Sequence, residues 1–116
     1  MVAWGDSSAG GDLGSAAPSG VVAIYSTESA FAALQAFGTV VVWGDPDFGG
    51  DLGNAVPSDV VEIYSTAGAF AALQGDGTVE VWGDADSGGD LGNAAPSDVV
   101  AIYSADQAFA AVQYCD

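Results

Sequence analysis

The chain has 116 residues, half of them hydrophobic, and its sixteen Asp and Glu side chains are balanced by no Lys, Arg or His, giving a formal net charge of −16. Without a base to neutralise phosphates, nucleic acid is not an expected partner. An anionic membrane would repel the chain, and no apolar run approaches the length of a bilayer span.

The apolar half is enough for one domain with a core, so the charge does not mark disorder. Self-repulsion must then be offset by burial, screening or bound cations. Stability or assembly is expected to rise with salt, with divalent cations, or towards pH 4. The N-terminus, MVAWGDSS, carries no basic region and no apolar stretch of signal-peptide length, so no export signal is visible. Cys115 is the single cysteine, which leaves no internal disulfide.

The whole chain, 1–116, reads as a single repeat domain written three times, as 1–39, 40–78 and 79–116. Residues 40–77 and 79–116 align without gaps at 26 identical positions of 38, and Trp4, Trp43 and Trp82 fall 39 residues apart. In the middle copy, VVEIYS (60–65) is β-branched and aromatic and predicts a strand. AFAALQ (69–74) has alanine's helix propensity, but the turn signals on both sides favour a second strand. Asp76-Gly77 then marks a hairpin turn. TVEVWG (78–83) is the third strand, with Val79 and Val81 on one face and Glu80 and Trp82 on the other. Each period is thus a three-stranded antiparallel meander, followed by a Gly- and Asp-rich loop, GDPDFGGDLGNAVPSD in the second copy.

These residues resemble a known repeat. DGTVEVWG, four residues, GG-D-LG, then Pro, a V-x-I strand and AFAAL are similar to the repeat of the regulator of chromosome condensation family. That pattern runs DG-x-V-x-x-WG, four residues, G-Q-L-G, Pro and two strands. The resemblance spans all three copies and implies a β-propeller, an architecture of four-stranded blades. This chain departs from the pattern in its shorter repeat, which implies a missing or vestigial outermost strand. It also has Asp12, Asp51 and Asp90 in place of the family's Gln. Some members act on small GTPases or bind chromatin. Neither role is expected here, because the chain has no basic loops and nothing beyond the bare repeats.

The fold expectation is therefore all-β: antiparallel three-stranded meander repeats in a β-propeller-like arrangement, with the ring completed by oligomerisation. Three meanders are too few for a propeller of four to eight blades. MVAW (1–4) reads as a third strand, and AFAAVQ (108–113) as the second strand it would pair with, within one chain or across two copies. Met1, Val2, Trp4, Phe109, Ala111 and Gln113 are the candidate assembly residues. A homo-oligomer is expected, either a dimer of six repeats or an open filament.

The acidic loops are the candidate metal site. Asp45, Asp47 and Asp51 occupy loop positions 1, 3 and 7, as do Asp84, Asp86 and Asp90. A hard cation such as Ca2+ takes six to eight oxygens of this kind. Position 5 is nevertheless Gly49 or Gly88, and position 12 is Val56 or Ala95, unlike a calcium loop. The other reading is that these aspartates cap turns and stay solvated; no cofactor is required. Trp4, Trp43, Trp82, Tyr25, Tyr64 and Tyr103 read as inter-repeat packing. Met1, Phe31, Phe70 and Phe109 read as core.

An enzyme is not expected, and a carboxylate-pair glycosidase is the remote alternative. The residues point to a structural, self-assembling repeat protein. The regular, base-free sequence fits a designed or reconstructed fragment, and also a natural extracellular, cation-dependent filament or adhesive module.

Overall fold

The β-branched and aromatic runs form strands wherever a turn brings the next run alongside. In the computed structural model, which describes residues 2–14, 18–53, 55–92 and 96–113, the chain is all-β, with three antiparallel sheets of three, three and two strands. The first sheet is β1 (Val21–Ser26), β2 (Ala30–Gln35) and β3 (Val40–Gly44). The second is β4 (Val60–Ser65), β5 (Ala69–Gln74) and β6 (Val79–Gly83), and the third β7 (Val99–Ser104) and β8 (Phe109–Gln113). Every sheet is a meander in sequence order, as the periodicity predicts.

Each first strand carries a bulge, where the register shifts between Val21 and Ala23, Val60 and Glu62, and Val99 and Ala101. A bulge sharpens the local twist. The hairpin at 74–78 closes through the Gly77 N–H donating to the Gln74 carbonyl at 2.9 Å, with Gly77 at φ 85°. The Asp76 carboxylate accepts from the Thr78 N–H and hydroxyl, and these bonds hold its pKa below the ordinary carboxylate value.

The sheets stack face to face, and this stacking decides burial. In β5 every residue from Ala69 to Leu73 is buried, because sheets lie on both sides. Ala32, Leu34, Val60, Ile63, Phe70, Ala72 and Trp82 form the core between the first two sheets. Ala71, Leu73, Val99 and Ile102 form the core between the second and third, with Val79 and Val81 packed against it. Val79 and Val81 thus face one way and Trp82 the other, as the alternation requires. Small alanines along the central strands let the layers approach closely.

Main-chain bonds tie the stack as well. The Val60 N–H donates to the Gly38 carbonyl at 3.0 Å, and the Val99 N–H to that of Gly77 at 2.9 Å. The first-hairpin turns are linked from sheet to sheet, with the Glu28 N–H donating to the Ala67 carbonyl and the Ala67 N–H to that of Asp106.

The residue entering each of these first strands is left-handed: Gly20 at φ 58°, Asp59 at 51° and Asp98 at 53°. Only glycine takes that conformation without a Cβ penalty. Asp59→Gly and Asp98→Gly are each expected to stabilise the fold by about 0.5–1 kcal/mol. A higher urea midpoint at unchanged slope would show it, and an unchanged or lower midpoint would refute it.

Candidate functional site

The loops after the third strands and the two ends of the stack carry the features that could act. Each loop begins with a short 3-10 turn, Ser7–Ala9, Pro46–Phe48 and Ala85–Ser87, capped by Asp6, Asp45 and Asp84. The Asp45 carboxylate accepts from the Asp47 N–H at 3.0 Å, and Asp84 from the Asp86 N–H at 2.9 Å. Asp51 and Asp90 accept from the Gly53 and Gly92 N–H groups at 2.9 and 2.8 Å. Four of the six candidate metal ligands are therefore engaged with neighbouring backbone, the behaviour of aspartate in turns. Asp47 and Asp86 lie in the first turns that these caps close. Among the described residues no three acidic, His or Cys side chains gather where they could hold an ion. Asp6 likewise accepts from Ser8, whose hydroxyl and N–H keep its pKa below the ordinary value.

These turns bond to the sheets beside them, and the Pro46–Phe48 turn bonds to both the first and the second. On one side the Thr27 hydroxyl donates to the Phe48 carbonyl at 2.8 Å, and Thr66 to that of Ser87 at 2.7 Å. On the other side the Trp43 indole N–H donates to the Gly10 carbonyl at 3.1 Å, and Trp82 to that of Gly49 at 3.2 Å. Both indoles also lie against a cross-strand phenylalanine, with ring centroids 5.5 Å apart for Phe31–Trp43 and 5.6 Å for Phe70–Trp82. The glycine beneath is obligatory. A Cβ on Gly49 would lie 2.6 Å from the Phe70 ring, and its φ is 103°. Sequence reasoning missed these roles, although Gly10, Gly49 and Gly88 recur in all three loops; the threonine recurs only as Thr27 and Thr66, with Ala105 in the third copy.

The candidate assembly residues sit at the two ends. Trp4 is 83% exposed and Val2 77%, and residues 2–4 form no strand. The expected packing of Trp4 between repeats, and a strand at MVAW paired within the chain, are therefore corrected. A strand exists only where a neighbour accepts its ladder, and none of the described residues pairs with residues 2–4. Met1, also expected there and in the core, lies outside the described residues, as does Cys115. At the other end, Phe109 is half-buried, Ala111 is exposed, and Gln113 donates its amide to the Ser97 carbonyl at 2.9 Å. Among the described residues β8 pairs with β7 alone, and none of them covers its other edge.

The outer faces are equally unfinished. Ile63 and Ile102 are 2% and 3% exposed, whereas their counterpart Ile24 is 47% exposed. Tyr25 and Tyr64 pack into the two cores, but Tyr103 is 64% exposed. Burial, and then the nearby Glu62, raise the Tyr64 pKa above its ordinary value. Its contribution to stability is present below pH 10 and lost as pH rises through the raised value.

Scanned against protein-family models and searched against curated proteins, the chain matches neither a family nor a relative.

Proposed function

We propose that this chain is a non-catalytic structural protein that assembles with copies of itself into a propeller-type array of short repeats similar to those of the regulator of chromosome condensation family. One observation carries the reading: the stack has two unlike, complementary open faces, Ile24 at its start and Tyr103 at its end. The same residue types meet in the two cores inside the chain. An unlike pair of faces makes a head-to-tail interface, which closes as a ring or propagates as a fibre. Two copies supply six sheets, within the range of known propellers.

A non-catalytic role is supported by the carboxyls whose pKa is displaced. Asp6 and Asp76 are both displaced downward, whereas a paired-carboxylate glycosidase needs one carboxyl pushed up.

Sedimentation velocity at micromolar concentration tests the reading. A discrete species of two or more chains is expected. A ring favours the propeller and a polydisperse fibre the filament form. A single-chain species throughout would sink the proposal.

A further inference from the structure

Within the chain, the Trp–Phe contact and the indole bond to a glycine carbonyl are made at Trp43 and at Trp82, and β8 has the phenylalanine and glycine without the indole. In the second sheet Trp82 sits among Ala32, Val42, Leu52, Ile63, Phe70 and Ala72. One repeat later the same positions, Ala71, Val81, Leu91, Ile102, Phe109 and Ala111, line a cleft of about 380 Å³. Phe109 already rests on Gly88 as Phe70 rests on Gly49, since a Cβ on Gly88 would lie 2.7 Å from its ring. What the cleft lacks is the indole.

We propose that residues 2–5 of a second copy add to β8 as the missing third strand, with Trp4 of that copy filling this cleft. The inference rests on the self-assembly reading and names its joint. Register follows from the completed sheets. Phe31 pairs with Trp43 and Ala32 with Val42, and Phe70 pairs with Trp82 and Ala71 with Val81. Shifted by one repeat, Phe109 faces Trp4, Ala110 faces Ala3, and Ala111 faces Val2. The Trp4 indole N–H then donates to the Gly88 carbonyl, as Trp82 does to Gly49. The Asp6 N–H meets the Gln107 carbonyl, as that of Asp45 meets Ser29 at 2.8 Å.

Two features of the unpaired segment fit this role. Gly5 stands at φ 111°, beside 112° for Gly44 and 113° for Gly83. A Cβ on Gly44 or Gly83 would lie 2.7 Å from Ala30 or Ala69 backbone on the paired strand, whereas Gly5 has nothing within 4 Å. The backbone is thus set for a partner strand that the described residues do not supply. Residues 2–5 and β8 carry no charge themselves, while Asp86 and Asp90 line the cleft, so this joint should tighten as salt screens them.

The test uses the 116-residue chain. Trp4→Ala is expected to weaken association roughly 100-fold, the effect of removing a central tryptophan from an interface. Its fold is monitored by Trp43 and Trp82. Disulfide trapping reads the register independently, in a Cys115→Ser background. Ala3→Cys chains mixed with Ala110→Cys chains are expected to cross-link. Ala3→Cys with Ala111→Cys is expected not to, because a one-residue slip turns the side chain to the other face. Oligomers that persist in Trp4→Ala, with no Ala3–Ala110 cross-link, overturn the joint and leave self-assembly standing. A wild-type chain that never associates overturns both.

Discussion

Trp82→Ala is expected to destabilise the single chain by about 3–5 kcal/mol, the range for a buried aromatic cut back to alanine. The ring is 3% exposed, lies against Phe70, and is enclosed by residues of the first two sheets. Its loss also leaves the Gly49 carbonyl without its donor, which costs about 1–3 kcal/mol more where the carbonyl stays dry. Domains of this size have about 5–15 kcal/mol in all, so the variant should melt far earlier or populate the unfolded state at 25 °C. Trp82→Phe separates the two effects by keeping a ring and losing the indole N–H. Trp4→Ala, at the same repeat position but exposed, should change single-chain stability by no more than about 0.5 kcal/mol. Denaturant melts below the association concentration check the series. A Trp82→Ala loss under 1 kcal/mol would show that the sheets are held by something other than this junction.

That contrast marks what a sequence can and cannot disclose here. The strands and hairpins were legible because their signals are local: β-branched runs, Asp76-Gly77, and Trp82 alternating with Val81. AFAALQ was ambiguous, since alanine favours helix; burial on both faces of β5 decides it, and that burial comes from neighbouring sheets. Trp4 and Trp82 read alike in sequence, yet one is exposed and the other buried, because a packed environment is supplied by other repeats. The aspartate spacing of the loops resembled a cation site for a related reason. Aspartate two residues before an amide is also the spacing that caps a turn, and Asp45, Asp51, Asp84 and Asp90 are used that way. The left-handed Asp59 and Asp98 had a visible signal in Gly20 at the matching position. Its meaning emerges only from the backbone angle.

The largest solution effect is expected from salt. Sixteen negative charges with no positive side chain occupy a fold whose Cα radius of gyration is 13.4 Å. Compact chains hold like charges closer than unfolded ones do, so folding works against repulsion on the order of 5 kcal/mol at about 0.01 M salt, where screening extends over about 30 Å. At about 1 M the screening length falls to about 3 Å and most of that cost disappears. Melting temperature at fixed chain concentration should therefore climb steeply with sodium chloride and then level off, and association should strengthen in parallel. Acid acts in the same direction down to about pH 4, as the carboxylates lose charge near their ordinary pKa values of about 4. Below that, Asp6 and Asp76 oppose it. Their lowered pKa values mean that their contribution, present above the unfolded carboxylate pKa, is lost as pH falls through the folded one. Calcium and magnesium should shift the melt equally, since screening does not distinguish them whereas an oxygen-ligand site does. A melt flat in salt would refute the electrostatic account. A calcium shift well beyond that of magnesium would instead return the acidic loops to the role of a metal site.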